Sequence, residues 1–559
     1  MLGKIVVSVF SVILIVGVAI AVVAVVHNNG SKKAGENLSP SMKAVTEICE
    51  KTDYKEACQK SLSSAAEKGN TDPKEFLKAA IESTINEVAK ASNFSDKLIQ
   101  NMSGANPRVK MSAEDCKDLL QFAVDELQAS FTSVGDANMH TMNDRSADLK
   151  NWLSAVISYQ QTCLDGLEEA PEYHSLMKQN LQDASALTSN ALAIVSELGD
   201  ILKALGLEFN IKPSGRRLLS QDGYPSWFSA SDRKLLASHN NGGVVPNAVV
   251  AKDGSGHFNT IAAALAAYPK NHGGRYVIYV KAGVYNEYIT VEKNQKNIFM
   301  YGDGARKTIV TGRKSNRDGF STFKTATFSA IGEGFLCKSM GFQNTAGPEG
   351  HQAVALRVQS DMSAFFNVRV DGYQDSLYVQ AHRQFYRNCV ISGTVDFIFG
   401  DSSTVIQNSL IIVRKPMDNQ QNTVTAQGRA DRRETTGLVI HNCRIVPEQK
   451  LFPTRFRTPT YLGRPWKEYA RTVIMESTLG DFVQPVGYLP WAGNFALNTC
   501  SYLEYGNRGP GAKTNRRVRW KNVRVMGRNE ALQYTVAPFI QGNLWLKSTG
   551  VPYLPGLRL

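Results

Sequence analysis

A chain of 559 residues and 61.4 kDa is too long for one ordinary core and requires two or more domains. Its 43% hydrophobic and 20% charged residues exclude a largely disordered or collagen-like protein, and eight cysteines are too few for a disulfide scaffold. The formal charge of +13 is uneven: residues 1–215 hold 20 basic and 27 acidic side chains, and 216–559 hold 43 and 23, so the halves carry −7 and +20. A mildly acidic front half joined to a strongly basic back half predicts two modules with different partners.

The chain opens with Ile5–Val26, an uncharged run of 22 residues broken only by Ser8, Ser11 and Gly17. That is longer than a typical cleaved signal core and matches the ~20 residues that span a bilayer. Residues 1–30 are therefore expected to be a signal anchor or a signal peptide, and the remainder to enter the secretory pathway. Asn37, Asn93 and Asn101, each followed by x-Ser, are then candidate glycan acceptors.

Residues 40–208 have the pattern of a helical bundle. Cys116, Leu119, Leu120, Ala123, Val124, Leu127 and Phe131 recur at offsets of three and four, the stripe of an amphipathic helix. Ser112 and Asp115 predict a capping box that opens it, and Asp72-Pro73 predicts another helix start. Further periodic stretches cover 142–165 and 174–206. Cys49, Cys58, Cys116 and Cys163 allow two bridges in three pairings. Their wide spacing, with no histidine in a ligand-like pattern, does not suit zinc. Residues 209–222 form a Pro/Gly/Ser linker with a dibasic pair, Arg216-Arg217, an exposed and cuttable segment.

From residue 245 short β-branched and aromatic runs alternate with Gly, Asn and Asp. A unit recurs, an Asn followed three residues later by an aliphatic side chain: Asn367, Asn388, Asn408 and Asn442. The first intervals are near 20 residues, and a loop inside one repeat accounts for the longer third. Such repeats without intervening helices predict stacked parallel strands, an all-β right-handed parallel β-helix over 245–545, in preference to an antiparallel sandwich. Asp375 and Asp396 share that interval, so their carboxylates should lie side by side at the ~4.8 Å strand spacing. Gln352 and Gln374, 22 apart, should stack close to the same place. Adjacent carboxylates repel, so one pKa rises, which supplies an ionised nucleophile and a protonated acid at one pH. There is no Gly-x-Ser-x-Gly elbow, His-Glu-x-x-His or Walker loop, and Lys252–His257 is read as a turn.

Five strings in order, Gly350-His-Gln-Ala-Val-Ala355, Gly372-Tyr-Gln-Asp-Ser-Leu-Tyr378, Gly393-Thr-Val-Asp-Phe-Ile-Phe-Gly400, Leu462-Gly-Arg-Pro-Trp466 and Tyr505-Gly-Asn-Arg-Gly-Pro-Gly-Ala512, resemble plant pectin methylesterases made with an inhibitor-like pro-region. The resemblance implies hydrolysis of homogalacturonan methyl esters to pectate and methanol, with no metal or cofactor. Asp396 would be the nucleophile and Asp375 the proton donor and base, with Gln374 and Gln352 stabilising the oxyanion. Arg464 would hold Asp396, Trp466 would offer a sugar a flat face, and Thr322 would touch substrate. Gly463 and Pro465 place Arg464 and Trp466 on an exposed loop bordering a groove.

In the front half the resemblance pairs Cys49 with Cys58 and Cys116 with Cys163. It implies processing at Arg216-Arg217-Leu218-Leu219 by a subtilase-type protease, autoinhibition before that cut, and a secreted, cell-wall location. The implied partners are pectin, which suits the +20 half, and separate inhibitor proteins; no nucleic acid is implied, and the enzyme is expected to be a monomer. One departure stands out: the family commonly bridges the cysteine at Cys389 to one twenty residues on, where this chain has Ser409. Cys337, Cys443 and Cys500 offer no evident replacement. Two other readings remain, an inactive polysaccharide-binding β-helix and a pectin-cleaving lyase or inverting hydrolase. Inverting chemistry wants carboxyls ~6.5–9.5 Å apart, wider than one coil step.

Overall fold

The computed structural model describes residues 39–205 and 245–558 except Ser103, Ala105, Asn138 and Asn271. Ile5–Val26, Asn37 and the linker with Arg216, Arg217, Leu218 and Leu219 lie outside the described residues. Among those described, no helix is long and apolar enough to cross a membrane. The chain divides into two compact units.

The first unit is helical: Pro40–Glu50, Lys55–Glu67, Pro73–Asn101, Pro107–Asp136, Met139–Gly166, Pro171–Ser196 and Leu198–Ala204. Asp72 caps Pro73–Asn101 by accepting the Lys74 N–H at 2.9 Å, with Pro73 at the first position, where a missing N–H costs nothing. The expected start at Ser112 is wrong. That helix begins five residues earlier, at Pro107, because Asn106 accepts the Arg108 N–H on its side chain at 3.0 Å and the Lys110 N–H on its carbonyl. Ser112 is instead a buried residue within it. Cys116, Leu119, Leu120, Ala123 and Leu127 are fully buried, as their spacing requires. Cys49 is bonded to Cys58 and Cys116 to Cys163. The second bridge closes a 47-residue separation, worth about 4 kcal/mol if chain entropy is the main effect. Asn93 and Asn101 are exposed on Pro73–Asn101.

The second unit is a parallel β-helix of three sheets, whose named strands all pair in parallel. Val370 pairs with Ile391, Ile391 with Ile411 and Ile411 with Ile445, so the Asn repeat marks successive coils and the 34-residue interval holds one loop. Asn367, Asn388, Asn408 and Asn442 all have φ between 52° and 56°, the left-handed conformation that Asn tolerates better than most side chains. Asn442 donates its side-chain amide to the Asn408 side-chain oxygen at 2.7 Å, joining neighbouring turns. The coil interior is filled by aliphatic and aromatic ladders, including Phe365 stacked on Tyr386 at 4.7 Å. Outside, Phe385, Val405, Val439 and Val473 are covered by Phe539, Trp545 and Leu546 from the C-terminal helical turns.

Cys337, Cys389, Cys443 and Cys500 are buried free thiols. Ser409 lies between Cys389 and Cys443: its hydroxyl accepts the Cys389 N–H at 3.0 Å, and its own N–H donates to Cys443 Sγ at 3.4 Å. The ladder position of the implied bridge is thus held by hydrogen bonds. At the left-handed turns, Asn388→Gly is expected to be nearly neutral, whereas Asn388→Val should cost ~1–2 kcal/mol, because a β-branched side chain clashes with its own backbone there. Urea denaturation of both variants checks this.

Candidate active site

Five strands of one sheet position the site, in spatial order Leu356–Val358, Leu377–Val379, Ile398–Gly400, Asn422–Gln427 and Thr460–Pro465. Leu377 pairs with Ile398, which sets Asp375 opposite Asp396 one coil away. Both acids stand two residues before their strands in the left-handed conformation, with φ of 61° and 51°. The turns that aim them are alike. A Cβ on Gly372 would meet Ser376 Oγ at 2.5 Å, and one on Gly393 would meet the Phe397 side chain at 2.2 Å. Only glycine lets each loop fold tightly onto the start of its strand. Thr394 N–H donates to the Tyr373 carbonyl at 2.9 Å and Asp375 N–H to the Val395 carbonyl at 3.1 Å, so the two turns hold each other.

Both carboxylates are buried, but their partners differ. Arg464 grips Asp396 with a fork, Nε to Oδ1 at 2.8 Å and Nη2 to Oδ2 at 2.5 Å. Thr423, the next coil's residue, donates its hydroxyl to Asp396 Oδ1 at 2.6 Å and accepts the Asp396 N–H at 2.8 Å. Three protein donors therefore converge on the Asp396 side chain. Burial pushes the Asp375 carboxyl well above its ordinary range, the neighbouring Asp396 charge adds to this, and Arg464 opposes it. Arg464 is itself held protonated: burial disfavours its charge, but the hydrogen bonds and charge of Asp396 outweigh that. The two acids thus differ in surroundings, one forked by a guanidinium and the other raised by burial beside its neighbour, an asymmetry of the kind that sets a nucleophile beside a proton donor.

The loops around this pair carry the amides. Ala353 N–H donates to the Gln374 carbonyl, so Gln374 lies opposite Ala353, and Gln352 is one residue out of register with it. The 22-residue spacing therefore does not stack the two glutamines directly. Both are half-buried, and neither side-chain amide makes a hydrogen bond among the described residues. Arg414 braces the Gln374 loop by donating to the Gly372 carbonyl and the Tyr373 hydroxyl, both at 2.8 Å. Trp466 is half-buried and meets Phe399 edge-on at 5.9 Å, while Phe399 stacks on Tyr378 at 4.3 Å. Arg464 lies in the strand Thr460–Pro465, not on the exposed loop expected from Gly463 and Pro465, whereas Trp466 opens the bend that follows the strand. The β-pairing of Ala426 with Arg464 extends the sheet to the site. Thr322 opens the 3-10 turn Thr322–Thr325 and makes no hydrogen bond to either carboxylate.

Two site residues escape sequence reasoning. Thr423 is one, because a loop stretches the coil from Asp396 to 27 residues and hides the stacking. Trp491 is the other: its ring packs 4.3 Å from the Arg464 guanidinium carbon, and an exposed Trp in Pro490-Trp-Ala-Gly493 is the available signal. Among the described residues no group of three His, Cys, Asp or Glu side chains could hold a metal ion.

The pectinesterase family model matches residues 247–543, and that of the plant invertase/pectin methylesterase inhibitor matches 43–194. The chain belongs to the pectinesterase family. Pectinesterase 4 of Arabidopsis thaliana is 42% identical, with all of both chains covered, and pectinesterase/pectinesterase inhibitor 3 of the same plant is 42% identical over 98% of this chain and 97% of its own. Among solved structures, a pectin methylesterase from carrot is 51% identical, with a TM-score of 0.56, over 57% of this chain and 100% of its own. The enzyme's β-helix is therefore a pectinesterase fold, preceded by an inhibitor-like helical region.

The burial of Asp375 has a measurable cost in stability. Below about pH 3.9, the ordinary aspartate pKa, folded and unfolded chains both hold the proton and no cost arises. Above it the unfolded group ionises while the folded one resists, so stability falls as pH rises toward the folded pKa. Asp375→Asn should remove this loss and be more stable than wild type at pH 7. The gap should close near pH 4. Thermal melts at the two pH values check it, and equal melting at pH 7 would contradict the account.

Proposed function

We propose that this pectinesterase-family enzyme removes methyl groups from homogalacturonan in the cell wall, with Asp396 as nucleophile and Asp375 as acid, then base. A carboxylate oxygen of Asp396 attacks the ester carbonyl carbon. The carbonyl electrons move to oxygen, and the Gln374 and Gln352 amides donate to the resulting oxyanion. As the intermediate collapses the bond to methoxide breaks, and Asp375 gives that oxygen its proton, releasing methanol. Asp375, now ionised, takes a proton from water as the water attacks the acyl–enzyme; this frees the galacturonate carboxylate and restores Asp396. No metal is needed where amides line the oxyanion position. The single observation that carries this reading is the asymmetry of the stacked acids, one forked by Arg464 and the other facing that charged neighbour from a buried position.

Arg464 orients the nucleophile, Trp466 and Thr322 contact the polysaccharide, and the +20 of the back half concentrates the polyanion. The amino-terminal run directs secretion, as a cleaved peptide or an anchor. Asn37, Asn93 and Asn101 accept glycans. The helical region, ending near residue 208, holds the enzyme inactive until a subtilase-type protease cuts within Arg216–Leu219. Separate inhibitor proteins of similar fold are further partners of the freed β-helix, which acts as a monomer.

Methanol release from esterified pectin tests the chemistry. Asp396→Ala should abolish it, and Gln374→Ala should lower kcat by about 10²–10³; normal turnover by Asp396→Ala would end the mechanism. The role of the helical region is tested by comparing intact protein with protein cut in the linker. The cut form should be the faster, and equal rates would remove autoinhibition.

A further inference from the structure

Behind Trp466 lies a pair of buried acids that the reaction above does not use. The strands Ile398–Gly400, Asn422–Gln427 and Thr460–Pro465 pair at their ends through Gly400, Gln427 and Pro465. The residues that follow, Asp401, Gly428 and Trp466, therefore come next in one row. Gly428 is the floor of that row. A Cβ there would meet Trp466 Cε3 at 2.9 Å and lie 3.5 Å from Asp401 Cβ, so the indole rests on bare backbone with the Asp401 side chain beside it. Trp466 N–H donates to the Gln427 carbonyl at 3.2 Å and Tyr469 N–H to the Arg429 carbonyl at 3.0 Å. The bend that carries the indole thus hangs on residues 427–429.

Glu434 closes the loop that leaves Gly428: its Oε1 accepts the N–H of Ala430 at 2.9 Å and of Asp431 at 2.6 Å. Asp401 anchors the same loop from the neighbouring coil. Its Oδ1 accepts the Gln427 side-chain amide at 3.2 Å and the Thr436 hydroxyl at 2.5 Å. The second oxygen of each acid, Asp401 Oδ2 and Glu434 Oε2, is buried and receives no hydrogen bond. The charged groups around them do not supply one. Arg429 donates to the Arg432 carbonyl and Arg471 to the Thr436 carbonyl, while Asp431 adds a further negative charge. Two orphaned acceptors in a buried place are costly, whereas one proton between two carboxyls makes them a donor and an acceptor. Burial raises both carboxyls above their ordinary range, and the charge of Asp401 raises Glu434 further.

We propose that Asp401 and Glu434 share one proton and that this closed pair makes them positioning residues for Trp466, fixing the floor and the bend on which the indole rests. This rests on the reading of Trp466 as a face for the polysaccharide and adds what holds that face. A carboxyl pair raised in the folded protein keeps its proton at low pH and loses it as pH rises. The two like charges then repel, the loop loosens from its coil, and the indole loses its floor.

Amide substitution tests the shared proton without turnover. Glu434→Gln or Asp401→Asn puts an N–H where the proton was, facing the carboxylate that remains, so each single variant should melt close to wild type. The double variant sets two amide N–H groups face to face with no acceptor. Its folding constant should fall about tenfold or more beyond the product of the single effects, and failure of the double variant alone to fold is the same result in extreme form. Independent effects, or a single variant that melts far below wild type, would overturn the shared proton. Positioning is read on esterified pectin oligomers after cleavage in the linker. Wild-type KM should rise about three- to tenfold as pH is raised through ionisation of the pair, the loss of roughly one aromatic contact. Glu434→Gln should keep its low-pH KM, and kcat should follow one pH profile in both proteins because Asp375 is untouched. Calorimetric binding of the same oligomers should diverge likewise. Coincident profiles of KM and affinity would overturn the positioning role and leave the esterase reading intact. Divergent affinities in a protein that releases no methanol would instead retain the pair and overturn that reading.

Discussion

The chemistry of this enzyme depends on the period of a coil. Parallel strands at one spacing bring residues 21 apart into lateral contact, and the β-helix repeats that step with little freedom to slip, because each coil's inward side chains stack on those of the next. Two aspartates at that interval cannot avoid one another. Their mutual repulsion, in a place from which water is largely removed, would be a defect in most proteins. Here Arg464 forks Asp396 alone, while burial and the neighbouring charge raise the Asp375 carboxyl well above its ordinary range. The glycines at 372 and 393, the Arg414 brace and the Thr423 hydroxyl all serve that same placement.

Much of this is legible in residue order, and the parts that are not have physical reasons. The Asn repeat reveals the coil period because each Asn occupies the same left-handed turn, a conformation few side chains accept. Asp375 and Asp396 follow from that period. Gln352 comes out nearly but not in register, because a loop residue need not keep the spacing of the strand it precedes. Thr423 and Trp491 are hidden by loops of other lengths. Arg464 is misplaced by taking the Gly and Pro beside it for an exposed turn, when the strand continues through Arg464 to Pro465. In the helical region Ser112 has the right chemistry for a cap, but Asn106-Pro107 comes first in the chain and does the same work. Cys389 and Ser409 show the converse. A missing disulfide partner is legible, but the hydrogen bonds that replace it are not.

The two halves divide the labour of charge. The helical half is acidic and tied by two disulfides, which suits the secreted, removable module proposed for it. The β-helix half is strongly basic, and much of that charge is used structurally, in buried pairs such as Arg383 with Asp361 and Arg517 with Glu504. Net charge therefore overstates what is left for a polyanion.

The central claim is that at working pH the stacked acids carry one proton between them and that Asp375 holds it. Infrared difference spectra of protonated carboxyl stretches, wild type minus each variant near pH 6, address it directly. The account predicts that Asp375→Asn removes one protonated-carboxyl band from the wild-type spectrum. A spectrum unchanged by Asp375→Asn, or a band that disappears because Asp396 was its source, would contradict it.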